Sequence, residues 1–203
     1  MSHAATVEEV QDHPMGLYNG KLGTWLFLCS EIMFFAGLIG SYIVLRSGTA
    51  SWPQPGQILN IPLTGVNTFV LICSSVTMVK AFQWCLEGHQ KRTQRNLFLT
   101  FLFGVLFLVI QAIEYHKLFH HGLKPWGGPD PATTKLYGTC FYILTGFHGF
   151  HVFCGVVAVF VIFMMSLFGR FSRTHYAEIE LVGLYWHFVD LVWIILFTIL
   201  YLI

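Results

Sequence analysis

Near its C-terminal end the chain reads Tyr-Trp-His-Phe-Val-Asp-Leu-Val-Trp (185–193), which sets His187 and Asp190 three residues apart in a run otherwise as apolar as a lipid tail. Thr-Gly-Phe-His-Gly-Phe-His-Val (145–152) repeats that spacing with His148 and His151. Gln-Ala-Ile-Glu-Tyr (111–115) adds Gln111 and Glu114, and Cys-Ser-Glu-Ile-Met-Phe-Phe (29–35) adds Glu31. On a helix, groups three apart share a face. Three chemistries follow. The first is a buried polar network of Gln111, Glu114, His148, His151, His187 and Asp190 that fixes helix register, with neutral histidines and acids either protonated or paired. The second is a metal site, because His-x-x-His and His-x-x-Asp each offer two ligands from one face; di-iron bundles, however, draw Glu-x-x-His pairs from two helices, and no such pair occurs here. The third is proton handling by a lone carboxylate. Glu31 is its candidate, because Phe27, Leu28, Phe34 and Phe35 along its own helix offer no cation. For Glu31 a proton- or lipid-linked role and a structural one both stay open.

The elements that must position these groups are set by composition. Of 203 residues, 55% are hydrophobic and 10% charged, against about 25% charged in a soluble domain, so the chain is read as an all-α integral membrane bundle. A span needs about 20 mostly apolar residues. Five stretches qualify, at about 22–45, 63–86, 97–119, 136–168 and 181–203. They form one five-helix transmembrane domain, 22–203, behind a polar segment, 1–21, that lacks the basic start and apolar core of a secretory signal. Breakers separate the spans, Trp-Pro-Gln-Pro-Gly (52–56) and Lys-Pro-Trp-Gly-Gly-Pro-Asp-Pro (124–131) among them. The net charge of +1 gives no reason to expect nucleic acid. The five cysteines lack Cys-x-x-Cys spacing and read as small buried hydrophobes.

Lys and Arg divide seven to four between the two sides, with Lys21, Lys80, Lys91, Arg92, Arg95, Arg170 and Arg173 against Arg46, Lys117, Lys124 and Lys135. The excess predicts a cytoplasmic N-terminus and an external C-terminus. Lys91, Arg92 and Arg95 form a short cytoplasmic loop and are candidates for anionic head-group contact. Trp52, Trp126, Trp186 and the terminal tyrosines fit interfacial belts, and His116, His120 and His121 gather at the outer end of the third span. At about 1.5 Å rise per residue, Glu31, His148, His151, His187 and Asp190 lie in mid-membrane and Glu114 within roughly 8 Å of the outer face. Small residues, Gly146 and Gly149 on the fourth span, with Gly155 on its polar stripe and Gly104 on the third span's, are expected where helices approach closely.

Taken in order, the motifs at 29–35, 111–115, 145–152 and 185–193 resemble those of subunit III of haem-copper terminal oxidases, over the chain from about Leu22 to its end. The resemblance implies an accessory subunit without haem or copper. Both would be held by partner subunits, with this chain packed on catalytic subunit I, beside subunit II, in a bacterial plasma or inner membrane. It implies that Glu31 matches the family's carbodiimide-reactive glutamate near a lipid-filled cleft, that phospholipid binds, and that the chain supports proton delivery and protects the enzyme during turnover. Larger members of the family have seven helices. The five here resemble a short bacterial form, in which a small subunit could supply the missing two. A quinol oxidase, a nitric-oxide-reductase-associated homologue and an independent transporter are the alternatives; transporters tend to show inverted repeats and broken helices, which the sequence lacks.

Overall fold

A computed structural model describes residues 19–49, 52–120, 122–124, 132–172 and 175–203. The expected segment 1–21 therefore lies almost wholly outside the described residues, as do His121, Trp126 and Arg173. Among the described residues six helices follow in order: α1 (Asn19–Ser47), a single turn α2 (Pro55–Ile58), α3 (Ile61–Leu86), α4 (Gln90–His120), α5 (Ala132–Leu167) and α6 (Ala177–Phe197), which continues as a π-type turn, Thr198–Leu202. A bridge between Ser172 and His175 is the only β pairing among the described residues. Five of the helices, α1, α3, α4, α5 and α6, are long and apolar enough to cross a membrane, so the chain is a multi-pass membrane protein.

Several helices outrun the hydrophobic windows because polar residues cap and extend them. Asn60 accepts a hydrogen bond from the Leu63 backbone N–H through Oδ1 (3.3 Å) and starts α3, with Pro62 in its first turn, an arrangement that satisfies donors no preceding turn can reach. Gly88, at φ 80°, reverses the chain between α3 and α4, a backbone geometry that favours glycine. Helix α4 then begins at Gln90. Lys91, Arg92 and Arg95, expected in a loop, instead stand exposed on its first turns, with Arg92 lying 4.3 Å above the Trp84 ring.

Helices α3, α4, α5 and α6 each pack on two of the others and close a ring, while α1 lies outside it against α6 and α5. The buried face of α3 reads Thr64, Asn67, Thr68, Leu71, Ser74, Ser75, Met78, Ala81 and Cys85, a seam of three- and four-residue steps like that of packed coils. Its small residues and hydroxyls let backbones approach and bond, as membrane helices require. Helix α1 attaches through Leu28, Phe35 and Tyr42, spaced by sevens.

The centre of the ring is Trp186. Sequence placed it in an interfacial belt, but it is buried at 1% exposure. Its indole N–H donates to Ser74 Oγ on α3 (3.0 Å), and its ring occupies the space that a Cβ on Gly104 of α4 or Gly155 of α5 would need, at 2.7 and 2.9 Å. The side chain exceeds what the interface can supply because a hydroxyl waits for its N–H inside. Trp193, two turns on, repeats the design. Its N–H donates to Thr68 Oγ1 on α3 (2.9 Å), while its ring stacks on His148 of α5 (4.8 Å) and meets Phe107 of α4 edge-on (5.0 Å).

The close approaches therefore fall at Gly104 and Gly155, and not at Gly146 and Gly149, where an added Cβ meets nothing within 4 Å. The cysteines are free, with Cys85 buried and Cys29 exposed on the outer face of α1, so burial does not hold for all five. Gly104→Ala is expected to destabilise the bundle by about 1–3 kcal/mol through overpacking against Trp186. Gly146→Ala should be neutral or stabilising by up to about 1 kcal/mol. Thermal unfolding of the purified chain in mild detergent reads both.

Candidate functional site

Glu31 and His151 meet across 120 residues of sequence. Glu31 sits mid-way along α1 and His151 mid-way along α5, and His151 Nε2 lies 2.9 Å from Glu31 Oε2. The other ring nitrogen, Nδ1, lies 2.7 Å from the carbonyl of Phe147, one turn back. A carbonyl only accepts, so Nδ1 carries a proton. Nε2 then donates to the carboxylate as imidazolium or accepts from a protonated carboxyl, and the proton can reside on either partner without loss of the contact. Phe34 and Phe35 wall the pair, with the Phe35 ring 5.1 Å from the imidazole, and Tyr185 of α6 donates to the His151 carbonyl (3.0 Å). The expectation that Glu31 has no cationic partner held only along its own helix. The partner comes from α5, and helical period alone cannot show which distant helix faces which.

The other sequence-singled residues occupy separate places. Glu114 is buried between α3 and α6, where its carboxyl accepts from the hydroxyls of Thr64 (2.8 Å) and Tyr201 (3.4 Å). Beside it, Tyr115 shares a hydrogen bond with Thr145 (2.6 Å). His187 Nδ1 lies 2.6 Å from Ser75 Oγ. Asp190 is buried nearby on α6, with Oδ1 lacking a partner. His148, fully enclosed, uses its ring face on Trp193 and bonds through neither nitrogen. Gln111 is buried with both amide atoms unpartnered. The structure holds Glu31–His151, Glu114–Thr64/Tyr201 and His187–Ser75 as separate contacts, with Asp190 also beside Ser75, Gln111 beside Tyr115 and His148 enclosed among other side chains, in keeping with the different depths of these residues.

His148 and His151 nonetheless go separate ways. Three residues leave two side chains about 60° apart around a helix, and at the border of the buried face of α5 that difference turns His148 into the ring and His151 towards α1. Sequence reasoning missed Thr64, Thr68 and Ser75 as partners of Glu114, Trp193 and His187; their signal was the three- and four-residue spacing along α3.

At the face where α1 and α6 begin, Lys21 Nζ pairs with Glu180 Oε1 (2.6 Å) and Arg170 lies 3.6 Å from Glu178. His116 and His120 meet edge-on at 4.5 Å on α4, but no three His, Cys, Asp or Glu side chains converge as a ligand set among the described residues.

Five apolar spans, four closed into a ring and one carrying a carboxyl to meet an imidazole midway along a neighbouring span, define a polytopic membrane protein with a part-buried ionisable pair at the edge of its bundle. The chain belongs to the cytochrome c oxidase subunit III family, whose model matches residues 4–203. It is similar to cytochrome c oxidase subunit 3 of Synechocystis sp., at 39% identity over 183 residues, covering 89% of this chain and 74% of that protein. For the subunit 3 of Corynebacterium diphtheriae the figures are 38% over 186 residues, 90% and 87%. For that of Drosophila melanogaster they are 34% over 191 residues, 89% and 68%. The chain is thus a subunit III of a haem-copper oxidase complex of the respiratory chain.

Replacing Glu31 and His151 singly and together by Gln should reveal direct coupling. The double-mutant cycle, read by thermal unfolding in mild detergent, is expected to give an interaction energy of about 0.5–3 kcal/mol, and a value indistinguishable from zero contradicts the pairing.

Proposed function

We propose that this chain is the accessory, non-redox subunit III of a proton-translocating cytochrome c oxidase, packed on catalytic subunit I beside subunit II. In this reading it reduces no oxygen itself. It braces subunit I, holds phospholipid, and supports proton uptake while the partner subunits reduce oxygen to water. In this reading haem and copper belong to those partners. The names of the relatives support cytochrome c as the electron donor. The excess of basic residues on the face where α1 begins supports a cytoplasmic N-terminus in a bacterial plasma or inner membrane.

The observation that carries the proton-linked role is the Glu31–His151 contact. Two ionisable groups held in mid-membrane are expensive unless paired, and this pair sits where peripheral α1 meets the ring, at the edge of the bundle. Proton residence on either member provides a site that takes up and releases a proton with little movement. Outward faces rich in apolar side chains, Leu26, Met33 and Val44 on α1 among them, suit lipid or a neighbouring subunit, including a small one that completes the cleft of the larger forms. Lys91, Arg92 and Arg95, exposed at one membrane face, suit anionic head groups.

In the intact oxidase, Glu31→Gln is expected to leave assembly and initial oxygen consumption near wild type and to slow proton uptake or hasten inactivation during sustained turnover. Wild-type proton uptake and lifetime through prolonged turnover would reduce Glu31 to a structural role. Stoichiometric haem or copper in the isolated chain would overturn the non-redox assignment.

A further inference from the structure

Helix α4 ends on His-Lys-Leu-Phe-His (116–120), and its two histidines, four residues apart, share one face. That face is turned away from the bundle. Glu114 and Leu118 are buried against the other helices, and a side chain two positions from either lies about 160° round the helix from it. His116 and His120 are both exposed. Among the described residues neither imidazole makes a hydrogen bond or an ion pair; the two rings stand 4.5 Å apart, and Phe119 lies 6.4 Å from His120.

Two imidazoles one turn apart on a helix are a bidentate nitrogen donor. An edge-to-face ring contact is favourable without any ligand, so the spacing of the rings decides what else they can serve. With metal–nitrogen bonds of about 2.0–2.1 Å, imidazoles at adjacent corners of a tetragonal ion set their ring centres about 4.5 Å apart, and those on a tetrahedral ion about 5.2 Å apart. His116 and His120 already stand at the first of these spacings, inclined at 75°. A d-block cation that takes nitrogen ligands at right angles therefore fits with little movement.

The surroundings favour such an ion, but only moderately. The last turn of α4 presents the negative end of the helix dipole, which attracts a cation. Lys117, next in the chain to His116, and Lys124, whose ammonium lies 5.4 Å from the centre of the Phe119 ring, oppose it. Glu114 is turned inward to Thr64 and Tyr201 and supplies no ligand. No third His, Cys, Asp or Glu joins the pair among the described residues, so water completes the coordination and the ion exchanges freely.

We propose that His116 and His120 bind one divalent d-block cation of the nickel type at the exposed end of α4, through one nitrogen of each ring. The inference is independent of the proposed role in proton uptake.

The test uses the full chain, purified in mild detergent without a polyhistidine tag and dialysed to equilibrium against graded NiCl2, with bound nickel counted by atomic absorption. The wild-type chain is expected to show one site that His116→Gln and His120→Gln each weaken at least about tenfold. The double variant should lose no more than either single one, because a chelate is lost with its first ligand. Nickel should also raise the unfolding temperature of the wild type and not of the variants, since an ion bound only by the folded helix stabilises it. Unfolding midpoints without nickel, recorded for each variant, separate loss of the ligand from loss of the fold. His121→Gln is the control for the neighbouring imidazole and should leave the affinity unchanged. Equal nickel binding by wild type and both single variants overturns the proposal. So do additive losses in the double variant, which would mark two independent imidazoles, or a loss in His121→Gln as large as in His120→Gln.

Discussion

Hydrocarbon offers no hydrogen-bond partners, and the whole bundle is arranged around that constraint. Every polar group carried into a span must be met by another helix, by its own preceding turn or by a tightly packed enclosure. Trp186 and Trp193 are the plainest cases. Each brings an N–H into the centre of the ring, and each finds a hydroxyl on α3, Ser74 or Thr68, at 3.0 and 2.9 Å. Because those bonds fix α6 against α3, the rings are presented at a set height, and only helices with glycine there, Gly104 of α4 and Gly155 of α5, can close around Trp186. Specificity in this fold thus comes from polar pairing, and tightness from the small residues that the pairing demands.

The same constraint separates stable from changeable parts. Within the ring, carboxyl and imidazole groups meet hydroxyls: Glu114 with Thr64 and Tyr201, His187 with Ser75. A hydroxyl both donates and accepts, so it can serve its partner in either protonation state. Between the ring and α1, a carboxyl meets an imidazole directly. That is the one contact between titratable side chains in mid-membrane among the described residues, and it lies on the least buried helix of the five. A subunit of an oxidase that influences protons in its neighbour would be expected to keep its labile pair at such an edge, and its inert pairs inside.

The fold was legible in the sequence because five apolar windows of spanning length leave little freedom in a membrane protein. Their ends were less so. The first turns of α4 carry Lys91, Arg92 and Arg95, which read as loop by hydropathy, yet a helix continues through them after the turn at Gly88. The candidate site was legible as residue types and not as pairs. Glu31 and His151 were both visible, but nothing local to either names the other. His148 and His151 looked alike by spacing, and His187 and Asp190 likewise, although an offset of about 60° around α5 separates a seat against Trp193 from one facing α1. Trp186 read as an interfacial anchor because tryptophan near a span's end usually is one; its hydroxyl partner lay more than a hundred residues away in the chain.

The central claim is that the ionisable side chains midway along these spans are turned towards protein, with Glu31 and His151 joined across the α1–α5 boundary. A density map of the intact oxidase in a lipid nanodisc tests it most directly. The account predicts the Glu31 carboxyl within hydrogen-bonding distance of the His151 imidazole, with Trp186 and Trp193 bonded to Ser74 and Thr68. A Glu31 side chain turned away from His151 into acyl chains, in a complex that otherwise retains this subunit, would contradict it.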